Sequence, residues 1–218
     1  MNKYDMSFTV AFPKVVFAWV LLGLIGTSSL RAQTPLNDSN FNTARDLWFS
    51  DQASAIATYG HIKDWNVTGV TDMSNAFKNK TTFDDNISGW DVSNISTMKD
   101  MFSGATAFNQ AIGNWNTTSL INMHNMFNGA SSFNQPIGDW NVSGVTHMNQ
   151  LFNGATAFNQ PIGDWNVSKV TDMAGTFSGA SAFNQPIGNW DTSKVTNMRG
   201  MFGWATSFNQ PVEDWNTS

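Results

Sequence analysis

Apolar side chains recur along this chain with a period of 25 residues, and polar side chains occupy most positions between them. The clearest series consists of seven tryptophans: Trp65, Trp90, Trp115, Trp140, Trp165, Trp190 and Trp215. A fixed period of this length indicates tandem structural units, each of which buries its apolar side against the units before and after it. The pattern therefore predicts a stack of similar units.

Five further apolar columns keep the same period. Two are aromatic, namely Phe83, Phe108, Phe133, Phe158, Phe183, Phe208 and Phe77, Phe102, Phe127, Phe152, Phe177, Phe202. The others are Met73, Met98, Met123, Met148, Met173, Met198, then Ile62, Ile87, Ile112, Ile137, Ile162, Ile187, Val212, and finally Val70, Ile95, Leu120, Val145, Val170, Val195. Large apolar side chains that recur once per unit are typical of a stacked core, and no cofactor box is needed to explain them.

Each unit begins with a pattern that predicts a short strand. Trp140 and Val142 alternate with the polar Asn141, which is the two-residue period of a strand with one buried face. Pro136 lies four residues ahead of the tryptophan, where its missing N–H removes no ladder bond if the strand has not begun. We therefore place a short parallel strand at Trp-Asn-Val.

The rest of the unit predicts a compact return. Val170, Met173 and Phe177 have the spacing i, i+3, i+7, with Asp172 as a cap and Gly179 just beyond. Glycine and threonine inside this segment are poor helix formers. The return is therefore expected to be one or two helical turns, a 3₁₀ turn or irregular.

The segments FNQPIGDWNVSKVTDM and MFSGATAFNQAIGNW resemble the BspA-like leucine-rich-repeat surface proteins, in the 25-residue branch that is also seen in mycoplasma-type surface lipoproteins. The resemblance covers about residues 60 to 218. It implies a leucine-rich-repeat-like solenoid, secreted or displayed on the cell surface, that binds macromolecules or cells and has no catalytic residues. Two departures are the lack of a cysteine for a lipid anchor and the column of Val145, where many leucine-rich repeats have asparagine.

Residues 1–32 are expected to be a secretory signal peptide. Lys3 and Lys14 precede an apolar run from Val15 to Ile25, and Ala32 and Gln33 form a cleavage point. A membrane anchor is the alternative, but the run is about eleven residues long and a bilayer span needs about 20.

Residues 33–61 are expected to cap the stack, with helix from about Thr43 to Ala57. Leu47, Trp48 and Ile56 would pack on the first unit. Residues 62–218 then form about six repeats. Because the sequence ends in mid-unit, we expect the array to be C-terminally incomplete.

The charge disfavours one class of partner, and the cysteine count excludes disulfides. From Gln33 onwards eight Lys or Arg face fifteen Asp or Glu, a net charge of −7. This acidic balance disfavours nucleic acid. The absence of cysteine means that no disulfide stabilises the fold. No cofactor is implied, and no membrane span is expected after signal cleavage.

The candidate binding site is the polar column that follows the tryptophans, on the outer face of the predicted strand: Asn66, Asp91, Asn116, Asn141, Asn166 and Asp191. One hypothesis is that these side chains bond one another along the stack and cap turns. The other is a ligand face, repeated about every 4.8 Å, for a protein or a polysaccharide. Calcium is disfavoured, because the known calcium-binding repeat patterns are absent. No metal site is assigned.

A second polar column follows a core phenylalanine and is expected to act inside the stack: Asn109, Asn134, Asn159, Asn184 and Asn209. Catalysis is not expected, because His61, His124 and His147 fall in different columns and each Ser or Asp has near-copies 25 residues away.

These patterns lead to one functional hypothesis with alternatives. We expect a secreted or cell-surface adhesion protein that binds a protein or glycan on a host, a neighbouring cell or the matrix. The alternatives are a structural spacer for a missing C-terminal domain and a polysaccharide- or ice-binding array.

Overall fold

The computed structural model describes residues 34–215. The expected signal peptide at residues 1–32 and its cleavage point therefore lie outside the described residues. The described part begins with helices and continues as 25-residue units, each of which lies against the next. We name each unit by its tryptophan.

The N-terminal segment contains two helices rather than the single one predicted. Helix α1 spans Phe41–Ser50, helix α2 spans Gln52–Tyr59, and a 3₁₀ turn follows at Ile62–Asp64. The break falls at Asp51, whose extended backbone ends α1 and whose side chain accepts a hydrogen bond from the Ser54 N–H at 3.1 Å. An aspartate in this position caps a new helix, so the chain changes direction there.

Helix α1 packs on the first unit through one face. Phe41, Ala44 and Trp48 are buried, and the Phe41 ring meets the rings of Trp65 and Trp90 edge-on at 6.4 and 6.2 Å. Leu47 is partly buried against the same core. The prediction for Ile56 is wrong: its side chain is 43% exposed, because α2 buries only Ala55.

Each pair of successive units from Asp72 to Asn197 shares one parallel β-bridge. Parallel bridges join Asp72 to Thr97 and continue from there to Asn122, His147, Asp172 and Asn197. The predicted strand at Trp-Asn-Val is therefore wrong. Trp140 and Val142 are buried and Asn141 is exposed, but among residues 34–215 no strand is longer than one bridged residue. The chain turns at Ser143 and Gly144, which leaves too few extended residues for a ladder.

The return segment is irregular, and the helical alternative for it is wrong. In the Trp65 unit the N–H groups of Asn75, Phe77 and Asn79 donate to carbonyls of the next unit at 2.7–2.9 Å. The N–H groups of Ala76, Lys78 and Lys80 close tight turns to the residue three positions earlier. A helix would direct all of these bonds along its own axis, whereas here every second one joins two units.

The core consists of stacked aromatic rings. Within each unit the two phenylalanine rings lie parallel with centroids 3.8–4.1 Å apart. Rings of the same phenylalanine column in successive units are 5.6–6.0 Å apart. The spacings between units exceed the ~4.8 Å of paired strands.

The tryptophans are buried and also bond across units. The tryptophans are 3–8% exposed. In four neighbouring pairs of the column the indole rings lie parallel, with their centroids 6.1–6.4 Å apart. From Trp90 onwards each indole N–H donates to the carbonyl of the isoleucine 28 residues earlier, at 2.8–3.3 Å. Each indole therefore fills the core and satisfies a backbone acceptor of the preceding unit.

The last described unit is less covered than the others. Val195, Met198, Phe202 and Phe208 are only partly buried, and an apolar concavity of about 380 Å³ lies beside Trp215. In the preceding units the same columns are covered by the next unit.

Trp204 differs from its column. Its side chain is 84% exposed and its backbone has a φ of 61°, at a position where the four preceding units have glycine. A left-handed backbone is unfavourable for a residue with a Cβ atom.

Candidate functional site

The predicted polar column is exposed, as its place beside the tryptophans requires. All six members, Asn66, Asp91, Asn116, Asn141, Asn166 and Asp191, lie on the surface. They do not lie on a strand face, since no strand is formed there. The column is therefore a row of exposed turn residues.

The hypothesis that these side chains bond one another along the stack is wrong. Each carboxamide or carboxylate oxygen accepts the backbone N–H of the residue two positions later in its own unit, at 3.0–3.2 Å. In the four asparagine units the Ser or Thr hydroxyl of that residue donates to the same oxygen at 2.6–2.7 Å. These are Asx turns, which satisfy the backbone locally.

The two aspartates of this row stay charged into acid. Hydrogen bonds from the side chain and backbone of Ser93 hold the pKa of Asp91 below its usual value. Those of Ser193 do the same for the pKa of Asp191, with a smaller contribution from the charge of Lys194. Hydrogen bonds to the ionised form favour it, which is the cause of both shifts.

A groove runs beside this row, on the side that precedes the tryptophans. It has a volume of about 480 Å³ and crosses four units. Its walls are three repeated residue types: the glycines Gly138, Gly163 and Gly188, the polar residues Asp139, Asp164 and Asn189, and the prolines Pro161, Pro186 and Pro211. A smaller recess of about 140 Å³ extends it past Glu213 and Asp214.

The groove exists because backbones approach closely at the glycines. A Cβ atom on Gly138 would lie 2.6 Å from the Pro161 carbonyl oxygen, and one on Gly163 would lie 2.5 Å from that of Pro186. Gly113 and Gly188 meet Pro136 and Pro211 in the same way. Any other residue would therefore push the neighbouring unit away or fill the groove.

The groove carries negative charge without a partner. No Lys, Arg or His lines either recess. The ion pairs among residues 34–215 are Arg45 with Asp46, Lys63 with Asp64 and Lys78 with Asp100, all outside the groove. The exposed carboxylates of Asp139 and Asp164 thus face solvent without compensation.

The second polar column forms the bonds along the stack that the first does not. The N–H groups of Asn109, Asn134, Asn159, Asn184 and Asn209 each donate to the side-chain oxygen of the residue 25 positions earlier, at 2.8–3.0 Å. The glutamines that follow Asn109, Asn134, Asn159, Asn184 and Asn209 add further bonds to the preceding unit. This column stabilises the stack and is occupied by its own partners.

A column of hydroxyl side chains likewise donates hydrogen bonds to the preceding unit. Ser96, Thr146, Thr171 and Thr196 each direct the hydroxyl to a backbone carbonyl 25 residues earlier, at 3.1–3.5 Å. Ile121 interrupts the row and is exposed. Each of these hydroxyls thus links its unit to the preceding one.

The three histidines have separate surroundings. His61 packs edge-on against Trp48, His147 Nδ1 is 2.8 Å from the Thr146 hydroxyl, and the buried Nδ1 of His124 has no partner in the structure. Within residues 34–215 no three His, Cys, Asp or Glu side chains are grouped so that they could hold a metal ion. In the same part of the chain, no helix has the length and apolar character of a membrane span.

Sequence reasoning missed the groove, although a signal for it was present. Glycine occupies its column only in the four units whose successor carries the proline, and Ser88 stands there where the next unit has Ala111 instead. This pairing across 23 residues indicates a close contact between units.

The residues described here thus form stacked 25-residue repeats with a polar, acidic, grooved side. The chain belongs to the family described as "Mycoplasma protein of unknown function, DUF285", whose model matches residues 45–148 and 136–218. No curated protein and no solved structure matched the chain.

Proposed function

We propose that this chain is a secreted or cell-surface repeat protein without enzymatic activity that binds macromolecules, and that adhesion is its role. The observation that carries the proposal is the groove, a recess about 480 Å³ in volume that repeats the same three residue types over successive units. Ligand sites are concave and commonly enclose about 300–1,000 Å³. The exposed residues from Asn66 to Asp191 that form Asx turns, called the Asx row, lie beside the groove and would widen the contact surface.

The proposal includes the fold class and the finer family relation. A leucine-rich-repeat-like solenoid of the BspA-like type is supported by the stacked units and by the membership in a mycoplasma family. Repeat stacks of this kind present long surfaces to partners. Secretion is supported by the signal-like sequence of residues 1–32.

Binding is tested by applying the full chain to arrays of peptides, extracellular proteins and glycans. Saturable binding to one of these classes is the expected result. The double variant Asn141→Ala, Asn166→Ala should weaken binding if the Asx row contributes to it. If none of the arrays showed saturable binding, the proposed binding function would be wrong.

A second candidate function is a structural spacer that presents another domain. The continuous columns of stacked rings and of side-chain bonds between units favour it, since both stiffen the stack. Replacing residues 62–218 by an unrelated rod of similar length separates the two functions. Attachment of cells would survive the replacement for a spacer and would be lost for an adhesion protein.

A further inference from the structure

We propose that the groove binds an extended polypeptide segment with Lys or Arg at alternate positions. This inference rests on the proposed binding function and names the class of partner. Its starting point is the composition of the walls. Glycines and prolines line the groove, and the exposed Asp139 and Asp164 line it in the Trp140 and Trp165 units.

Charge selects a cationic partner. Asp139, Asp164 and, in the extension, Glu213 and Asp214 carry negative charge, and no base lines the recess. The chain as a whole is also negative, with a net charge of −5. A basic segment would be attracted along the whole surface and would find its counter-charges in the groove.

The spacing selects an extended chain. Asp139 and Asp164 each directly precede a tryptophan, and the ring centroids of successive tryptophans on either side of this pair are 6.2–6.4 Å apart. Alternate side chains of an extended strand project to the same face about 6.4–6.8 Å apart. Over the few units of the groove the mismatch is small enough for a flexible lysine side chain to absorb.

The small lining residues favour a peptide, whose main chain can lie close to the glycines. Gly138 and Gly163 present no side chain to the groove, so the main chain of a peptide can approach the wall there. Alternation places one set of side chains on the carboxylates and the other set in solvent. Prolines cannot donate hydrogen bonds, so the recognition relies on acceptors and charge.

The test is fluorescence anisotropy with the full chain and labelled peptides. The probe is (Lys-Ser)₄, and the composition control is the block peptide Lys₄Ser₄. Saturable binding of the alternating peptide, at least about tenfold tighter than the block peptide and weakened by salt, is the expected result. Equal affinity for the two peptides would overturn the inference, since simple charge attraction would then suffice.

Matched variants localise the binding. Asp139→Asn with Asp164→Asn should weaken the alternating peptide at least about tenfold, and Asp164→Asn alone by a smaller factor. Neither carboxylate bonds to the protein in the structure, so both variants are expected to fold, which circular dichroism checks. The control is Asp46→Asn with Asp64→Asn, which changes the net charge equally at two exposed carboxylates outside the groove. An equal loss of affinity in the control would overturn the assignment to the groove.

Two further outcomes separate this inference from the proposed function. A chitosan hexamer, which is a cationic glycan, is tested in parallel. If it binds in a manner sensitive to Asp139 and Asp164 while the alternating peptide does not, the peptide assignment is overturned and the binding function stands. If the arrays give saturable partners but neither probe binds, the groove inference alone fails.

Discussion

Gly113 and the three glycines of the groove occur in the units whose successor carries a proline, and a carbonyl oxygen of that proline lies 2.2–2.9 Å from the position that their Cβ atoms would take. At the residue scale, such close contacts between backbones restrict the type of residue that a position allows more strictly than the polarity of its side chain does. Gly89 is the useful contrast, because the nearest atom to its virtual Cβ is the Lys63 oxygen at 3.9 Å.

Gly138→Ala should therefore lower the free energy of unfolding by about 1–3 kcal/mol, the usual cost of overpacking. Its Cβ would lie 2.6 Å from the Pro161 oxygen. Gly89→Ala is the control and should change stability by no more than about 0.5 kcal/mol. Urea denaturation of both variants measures the difference, and equal effects would show that the close approach is not rigid.

At the scale of the element, the units keep order without regular secondary structure. Bonds that would run within a helix or strand instead join one unit to the next, through alternate backbone N–H groups and through the asparagine column that contains Asn159. The N-terminal segment joins the first unit in a similar way. Asp38 accepts the Thr71 N–H at 2.8 Å, the Thr71 hydroxyl at 2.7 Å and the Asp72 N–H at 3.1 Å.

Removing an acceptor from the asparagine column should be costly. The Asn159 side-chain oxygen accepts from the Asn184 N–H and from Gln185 Nε2, both at 2.9 Å. Asn159→Ala leaves these donors unpaired and should cost about 1–3 kcal/mol of stability. Asn159→Asp keeps the acceptor, as Asp84 does naturally for Asn109, and should cost less. Thermal denaturation compares the two, and a larger loss for Asp would contradict the bonding assigned here.

The attachment of the N-terminal segment should weaken in acid. Hydrogen bonds from the Thr71 side chain and backbone lower the pKa of Asp38 from its ordinary value of 3.8. A lowered folded-state pKa means that the carboxylate stabilises the fold above about pH 4, and that this contribution is lost as the pH falls through the folded value.

Asp38→Asn should accordingly reduce stability at pH 6 and approach the wild type near pH 2. Asp139→Asn, whose carboxylate has no protein partner, is the control and should follow the wild type throughout. Urea midpoints measured from pH 6 to pH 2 give the comparison. A constant difference between Asp38→Asn and the wild type at every pH would argue against this linkage.

At the scale of the whole molecule, each unit contacts its neighbours through the same columns. Whole units can therefore be removed or added while the contacts between the remaining units are kept. The contacts that cross units repeat at 24, 25 and 28 residues. Stability in such a stack is close to a sum of unit and interface contributions.

Deleting residues 136–160 removes one period and joins Gln135 to Pro161, which restores the repeat. This variant should fold and unfold cooperatively with a smaller urea m-value, because less surface is exposed on unfolding. Deleting residues 136–155 puts the columns on the two sides of the junction five positions out of register, so the stack should break there and lose cooperative unfolding. Circular dichroism and tryptophan emission distinguish the two. Similar behaviour of both deletions would show that the columns do not define the stack.

The 25-residue period by itself determined the columns of the core, the exposure of the row from Asn66 to Asp191 and the role of the Asn159 column, because each follows from which side of the unit a residue occupies. Local bonding was decided by the tertiary structure. Asn141 closes an Asx turn with Ser143 of its own unit, and no strand forms at Trp-Asn-Val because the chain turns at Ser143 and Gly144. The groove also depended on the distance between two backbones, Gly138 and Pro161, which lie 23 positions apart in sequence and meet only when the units are stacked.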